Sequence, residues 1–214
     1  KGLCAGKSGS AWVLLAVLTA VFLASDLLTK WWAFEKVAGF PVIVLREDVL
    51  RAQLTDPRGI QSVVPAHEPV VVIPNVHNWN LVLNPGAVFG IGAGKRGFFI
   101  VFTGLAMVFA VYMFAWWASA KVRWAHAAIA LLVAGGLGNL YDRLLYGCVR
   151  DFIHPLPGVK SPIGWSPFSS RGEIWPYVSN VADLYLIIGI GLLTYFLWRR
   201  DAAARAEVPD VKPA

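Results

Sequence analysis

The chain has 214 residues, enough for one ordinary domain, and 57% of them are hydrophobic while only 15% are charged. A soluble domain of this size carries about 25% charged residues, and it could not hide so much apolar surface from water. With 19 basic and 13 acidic residues the formal net charge is +6, which in so apolar a chain orients loops against a membrane more often than it binds nucleic acid. The composition excludes a disordered chain and predicts a membrane protein with no nucleic-acid partner.

Four apolar runs are long enough to cross a bilayer, which needs about 20 residues of helix. They lie at residues 11–34, 97–118, 124–145 and 177–198. The sequence therefore predicts an all-α membrane protein, a four-transmembrane-helix bundle within a single integral membrane domain of residues 1–214. We expect the first run to be a membrane helix rather than a cleaved signal peptide, because it carries an acid and a lysine and no small-x-small cleavage site follows it.

Basic residues flank the runs on one side of the predicted membrane. They precede the first run, link the second to the third and follow the fourth, at Lys1, Lys7, Lys121, Arg123, Arg199, Arg200 and Arg205. The positive-inside tendency then places both termini, with the charged tail 199–214, in the cytoplasm. The two remaining loops, 35–96 and 146–176, are expected to face outward.

The outward loops are predicted to be more than linkers. Residues 41–45 and 70–73 are β-branched and residues 79–84 have some strand character, so the first loop is expected to form a small extracytoplasmic β-rich platform. The polar residues 46–69 interrupt this platform as an insertion. The second loop is rich in Pro, Gly and Ser and is predicted to act as a flap over the platform.

Polar side chains in and beside the runs gather at one predicted depth, the outward boundary of the membrane. They occur at the outward ends of three runs or just beyond them, and they are Asp26, Lys30, Asn139, Asp142, Arg143, Asp151, Asn180 and Asp183. An ionisable group in hydrocarbon costs at least about 2.5–3.5 kcal/mol on insertion scales, so each needs a partner or a function. Their convergence predicts a polar site at this boundary.

Several of these residues have a structural explanation beside a functional one. Asp26 and Lys30 are four residues apart on one helix face, so they either neutralise each other or brace the site. Gly135 and the neighbouring glycines are most simply close-packing residues, although a bared backbone could also admit a substrate. Asp142 is interpreted as a structural ion partner, whereas Arg143 either clamps a substrate carbonyl or holds a loop.

Asp151 and Asp183 come from different elements yet share the predicted depth. Two carboxylates within about 3–4 Å cannot both ionise, so one keeps a proton. One can then act as a general base on water while the other donates a hydrogen bond to a scissile carbonyl, which hydrolyses an amide without a metal or cofactor. The competing interpretation makes Asp183 a helix-end cap and Asp151 a surface acid.

Two other classes of protein compete with an enzyme. A proton-coupled transporter would place its acids near the midplane and usually shows inverted repeats, neither of which the sequence displays. A non-catalytic membrane scaffold would not require acids at both positions. Replacing each acid and measuring hydrolysis distinguishes these classes.

Four separated parts of the chain resemble signal peptidase II, the bacterial lipoprotein signal peptidase family. They are DLLTK at 26–30, NPGAVFG at 84–90, GGLGNLYDR at 135–143 with the VRDFI that follows it, and NVAD at 180–183. Their order and spacing agree with the family, so the resemblance covers most of the chain. Val88 stands where the family motif usually has alanine, and the insertion and the second outward loop are larger than usual.

The resemblance implies an aspartyl endopeptidase of the bacterial inner membrane, with Asp151 and Asp183 as the catalytic dyad and no cofactor or metal. It implies removal of signal peptides from prolipoproteins by cleavage on the N-terminal side of a diacylglyceryl-modified cysteine, at the outer face of the membrane. The implied partners are this substrate, membrane lipids and globomycin-like inhibitors, and we expect a monomer. Further motif residues are implied to bind the substrate or support the site: Asn84, Gly86, Phe89, Asp26, Lys30, Gly135, Asn139, Arg143 and Asn180.

Overall fold

The computed structural model describes residues 3–56, 59–86, 95–165 and 172–206, and the side chains of 201–206 are not part of this description. Within these ranges the chain forms five α-helices, two short 3-10 helices (Ala5–Lys7 and Gly59–Val63) and one antiparallel sheet. The helices and strands are α1 (Gly9–Lys36), α2 (Arg46–Thr55), β1 (Val70–Ile73), β2 (His77–Asn84), α3 (Arg96–Trp116), α4 (Arg123–Leu145), β3 (Val149–Pro155) and α5 (Val181–Ala206).

Four of the helices are long and apolar enough to cross a membrane, namely α1, α3, α4 and residues Val181–Arg200 of α5. This confirms the predicted bundle, and the small sheet at one end of it accompanies the helices as expected. The helix α4 is central, because it contacts α1, α3 and α5 and 61% of its most apolar stretch is buried. It can therefore carry polar side chains that face protein rather than lipid.

Glycines in α4 let neighbouring helices approach closely. A Cβ atom at Gly135 would lie 2.6 Å from the carbonyl oxygen of Ala182 in α5. A Cβ atom at Gly138 would overlap the carboxylate of Asp26 in α1. Small residues at helix contacts are the usual way for membrane helices to pack closely, so the structure supports the packing explanation for both glycines.

The sheet has the order β1-β2-β3, with β2 in the centre. In the pairing of β2 with β3, Val82 lies opposite Asp151 and Asn84 lies opposite Val149. The side chains of Asn84 and Asp151 are therefore diagonal neighbours on one face of the sheet. This register brings together two segments that are far apart in the sequence.

The first loop contains more helix and less strand than its sequence predicts. Residues 41–45 do not form a strand. Their β-branched side chains Val42 and Val44 are instead buried in the core beneath the sheet. The polar insertion contains α2 and the second 3-10 helix, whose Val49 and Ile60 are fully buried. Burial, rather than strand pairing, therefore explains the apolar pattern in this loop.

The second loop begins with a strand that its sequence did not reveal. Residues 149–155 form β3, although the whole of 146–176 was predicted as a flap. The last helix begins at Val181 rather than at residue 177, because Ser179 exchanges backbone hydrogen bonds with Ile153 at the edge of β3. This extended segment places Asn180 and the start of α5 directly beside β3.

Candidate active site

The start of α5 is closed by a reciprocal pair of hydrogen bonds between Asn180 and Asp183. The backbone N–H of Asp183 donates to Oδ1 of Asn180 at 3.1 Å, and the backbone N–H of Asn180 donates to Oδ2 of Asp183 at 3.3 Å. This is the geometry of a capping box, and the positive end of the helix dipole favours a carboxylate there. The helix-cap interpretation of Asp183 is therefore correct, and it leaves Oδ1 free to contact other groups.

The carboxyl group of Asp151 is buried between two amide donors. Nδ2 of Asn84 donates to its Oδ2 at 3.1 Å, and Nδ2 of Asn180 donates to its Oδ1 at 2.6 Å. Only 1% of the Asp151 surface is exposed. The interpretation of Asp151 as a surface acid is therefore wrong, because β3 places it beside the end of β2, between Asn84 and Asn180.

Lys30 sets the orientation of the asparagines that link the two aspartates. Its ammonium group can only donate, and it donates to Oδ1 of Asn139 at 3.2 Å. Nδ2 of Asn139 then faces Asp183 and donates to Oδ1 at 2.8 Å. Nδ2 of Asn180 also reaches Oδ1 of Asn139, at 3.1 Å. Asp151 thus accepts hydrogen bonds from Asn84 and Asn180, and Asp183 accepts them from Asn139 and the backbone of Asn180. Asn180 therefore contacts both aspartates.

Asp26 joins α1 to the start of α5 at the site. Its Oδ2 forms an ion pair with Lys30 at 2.9 Å, and its Oδ1 accepts the backbone N–H of Ala182 at 2.9 Å. That N–H belongs to the first turn of α5, where backbone donors lack partners within the helix. Both interpretations of the pair therefore hold: Asp26 and Lys30 neutralise each other, and each also braces a residue of the site.

Asp142 and Arg150 form the second buried ion pair. Nη2 of Arg150 lies 2.9 Å from Oδ1 of Asp142, and the backbone N–H of Arg150 donates to Oδ2 at 3.0 Å. Nζ of Lys30 lies 3.5 Å from Oδ2 of Asp142 as well. The structural role interpreted for Asp142 is thus correct. The sequence analysis did not predict that Arg150 pairs with Asp142. The position of this arginine directly before Asp151 could have indicated a role at the site.

Arg143 holds the loop that follows β2. Its Nη2 donates to the carbonyl oxygen of Gly86 at 2.7 Å, and its Nη1 donates to the carbonyl oxygen of Asn139 at 3.1 Å. The backbone N–H of Gly86 in turn donates to Oδ1 of Asn84 at 3.0 Å. Of the two roles considered for Arg143, the structure supports the loop-holding one. Phe89 lies outside the described residues.

These contacts define a polar cluster of four carboxylates and three cations: Asp26, Asp142, Asp151, Asp183, Lys30, Arg143 and Arg150. If all seven groups are ionised, the cluster carries one net negative charge, and a single proton makes it neutral. Asp151 is the favoured place for that proton, because burial and the charge of Asp183 hold the pKa of Asp151 well above its usual range, against the opposing hydrogen bonds from Asn180 and Asn84.

A cavity of about 1030 Å³ opens at the two aspartates. Asp151 and Asp183 both line it, together with the end of β2 and the extended segment before α5. Leu184 and Ile187 of α5 form another wall, and they are 50% and 61% exposed. The cavity thus extends from the buried Asp151 and the half-buried Asp183 to the apolar face of a membrane helix. Within the described residues, no group of three or more His, Cys, Asp or Glu side chains is arranged to hold a metal ion.

The structure brings most of the sequence-predicted site residues together around this cavity. Asn84, Asn139 and Asn180 bind the aspartates directly, while Lys30 and Arg143 orient the groups beside them. Of the predicted residues that the structure describes, only Asn84, Asn180 and the two aspartates line the cavity itself. Gly135 packs against α5. Gln61, which lines the cavity, was missed because it lies within the polar insertion.

The bundle and its polar site define the class of this protein as a multi-pass membrane enzyme. Two solved structures, both titled as bacterial membrane enzymes, have the same fold. One has a TM-score of 0.62 and 25% identity, covering 92% of this chain and 94% of the other. The second has a TM-score of 0.58 and 26% identity, covering 86% and 91%.

Proteins related in sequence identify the family more narrowly than the solved structures do. The family model described as "Signal peptidase (SPase) II" matches residues 18–199. A lipoprotein signal peptidase of Anaeromyxobacter sp. strain Fw109-5 is 30% identical over 203 residues, which is 92% of this chain and 90% of the relative. One of Syntrophotalea carbinolica is 32% identical over 170 residues, 77% of this chain and 95% of the relative.

The chain belongs to the signal peptidase II family. It is therefore a protease that removes signal peptides from prolipoproteins, and a multi-pass protein of the bacterial inner membrane.

Proposed function

We propose that this protease is an aspartic endopeptidase whose catalytic dyad is Asp151 and Asp183. The observation that carries the proposal is that the two carboxylates, on β3 and α5, line one cavity and both contact Asn180. The sequence resemblance supports the same two residues. Neither a metal nor another cofactor takes part in the proposed reaction.

In the proposed reaction the dyad holds one proton between its two carboxyl groups. The ionised carboxylate takes a proton from a water molecule, whose oxygen attacks the scissile carbonyl carbon. The protonated carboxyl group donates a hydrogen bond to the carbonyl oxygen, which gains negative charge as the tetrahedral intermediate forms. When the C–N bond breaks, a proton from the dyad goes to the leaving amine. The pair titrates as a unit, and burial of Asp151 favours the proton there.

The proposed substrate is a prolipoprotein whose cysteine carries a diacylglyceryl group, cleaved on the N-terminal side of that cysteine. The apolar wall formed by Leu184 and Ile187 supports this choice, because acyl chains could remain against α5 while the scissile bond reaches Asp183. We propose that the cavity faces the periplasm and that both termini are cytoplasmic, as the basic residues indicate. Globomycin-like peptides are proposed to bind in the same cavity, and the enzyme is proposed to act as a monomer.

The test is cleavage of a synthetic diacylated prolipoprotein by purified protein. Asp151→Asn and Asp183→Asn should each lower kcat/KM by at least about 100-fold, because removing either acid removes general acid–base catalysis. Asp48→Asn is the matched control, since Asp48 is an exposed acid on α2, and it should cleave at the parent rate. Thermal unfolding verifies that each variant is folded. A folded dyad variant that cleaves at the parent rate would refute the proposal.

A further inference from the structure

The strand β2 is paired from end to end on only one side, with an irregularity between Trp79 and Val82. On the β3 side the pairing reaches from His77 to Asn84. On the other side, β1 pairs with β2 only between His77 and Trp79. The half of β2 that leads to Asn84 therefore needs other partners on that side for its backbone groups.

Side chains of the polar insertion supply those partners. Oε1 of Gln61 accepts the backbone N–H of Leu83 at 3.2 Å, and Nε2 of Gln61 donates to the carbonyl oxygen of Leu83 at 2.5 Å. Nε2 of His67 accepts the backbone N–H of Leu81 at 3.2 Å. The amide of Gln61 offers the same donor and acceptor that a residue of a neighbouring strand would offer. It therefore takes the place of a strand at the end of β2.

Gln61 is exposed, but it follows a buried residue and lies beside the site. The preceding residue, Ile60, is fully buried in the same core as Leu83. Gln61 and Asn84 line the same cavity. Leu83, which Gln61 binds on both its backbone groups, directly precedes Asn84, and Asn84 donates to Asp151.

We infer that Gln61 is a positioning residue for the peptidase reaction, acting through the backbone of Leu83 to hold the amide of Asn84 against Asp151. This inference rests on the proposed function of Asp151. It also assigns a role to the insertion, which supplies the missing edge of the sheet beside the site.

A shift in the pH profile distinguishes this role from general structural support. The hydrogen bond from Asn84 favours the ionised form of Asp151 and so lowers the pKa of that group. If Asn84 is displaced, the upper apparent pKa of the dyad, at which Asp151 loses the shared proton, should rise. The alkaline limb of the bell-shaped profile of kcat/KM should then move to higher pH.

The principal variant is Gln61→Met, because methionine has a similar shape but cannot form the two hydrogen bonds. We expect kcat/KM to fall about fivefold to tenfold, mainly through kcat, and the alkaline limb of the pH profile to move to higher pH. The matched control is Gln53→Met. Gln53 is a glutamine of the same insertion that donates to the carbonyl oxygen of Gly147 at 3.5 Å, and its replacement should leave the profile unchanged. If the methionine variant does not fold, Gln61→Ala, which leaves room for water, replaces it.

A double-mutant cycle with Asn84→Ala tests whether Gln61 acts through Asn84. In the Asn84→Ala background, adding Gln61→Met should lower kcat/KM by less than about twofold, because the group that Gln61 positions is already absent. Equal effects in both backgrounds would overturn the inference.

The dyad variants, measured in parallel, separate the two proposals. If Asp151→Asn cleaves normally, the proposed function fails whatever the Gln61 variants do. If Asp151→Asn is inactive while Gln61→Met keeps the parent rate and pH profile, only the positioning role is overturned.

Discussion

At the scale of single residues, the same side chains begin a helix and build the site. Asp183 closes the capping box of α5 with one oxygen and accepts a hydrogen bond from Asn139 with the other. Asn180 is the other half of the capping box and also donates to Asp151. The local structure of the helix start therefore determines where one carboxylate points, and replacing either residue affects both folding and the site.

The raised pKa of Asp151 makes a prediction about stability. Because the native pKa lies above the unfolded one, ionising Asp151 destabilises the folded protein. This destabilisation is absent below the unfolded pKa and grows as pH rises toward the native pKa. Asp151→Asn, which cannot ionise, should therefore raise the melting temperature in detergent by about 2–4 °C at pH 8 and by less at pH 5.

The exposed acid Asp48 again provides the control for this measurement. Asp48→Asn should leave the melting temperature within about 1 °C of the parent at both pH values, since exposed substitutions change stability little. If Asp151→Asn raised the melting temperature equally at pH 5 and pH 8, ionisation of a buried acid would not explain the increase.

At the scale of elements, α4 organises the bundle through its small residues. Gly138 faces Asp26 of α1, and Gly135 faces the backbone of Ala182 in α5. The close packing of α4 against α1 and α5 also brings Asp26 within hydrogen-bond distance of the α5 backbone. Close packing of three helices and the geometry of the site therefore depend on the same contact surface.

Adding a methyl group at Gly138 tests this dependence. Gly138→Ala should lower the free energy of unfolding by about 1–3 kcal/mol, as overpacking usually does, because Asp26 is held on both sides and cannot move away. Gly104→Ala in α3 is the matched control, since nothing lies within 4 Å of a Cβ atom at Gly104. The control should be neutral or slightly stabilising. Equal stability of the two variants would show that the close approach at Gly138 is not required.

At the scale of the whole molecule, buried charges join one end of the bundle to the sheet. Lys30 links α1 to Asp142 of α4, and Asp142 binds Arg150 of β3. Breaking a buried ion pair is strongly destabilising because it leaves an unpaired charge. The cluster thus holds three elements in register, while the opposite end of the bundle carries the basic residues that are expected to face the cytoplasm.

The proposed orientation can be measured with fusion reporters. A green fluorescent protein joined after Ala214 should fluoresce and alkaline phosphatase at the same point should be inactive, because basic flanks are retained in the cytoplasm. Alkaline phosphatase joined after Asp56, in the first outward loop, should be active. The fusion after Lys121, between α3 and α4, is the cytoplasmic control. The opposite pattern of activities would reverse the assigned topology.

Much of the architecture was predictable because it depends on properties of continuous stretches of the sequence. Run length and hydropathy indicated the four membrane helices, β-branched content indicated β1, and the strand character of residues 79–84 indicated part of β2. The strand β3 and the helix α2 were missed, since each is short and is stabilised by contacts with distant segments. The β-branched residues 41–45 were expected to belong to the β-rich platform but form no strand, because burial in the core favours the same residue types as strand pairing.

The sequence by itself determined that this protein crosses a membrane and that its polar groups meet at one depth, because hydrocarbon penalises every charge that lacks a partner. Only the tertiary structure decided which groups meet. Asn84 and Asp151 are 67 residues apart, and Asp26 and Ala182 are 156 apart. Such contacts follow from strand register and helix packing, which the order of residues along the chain does not express.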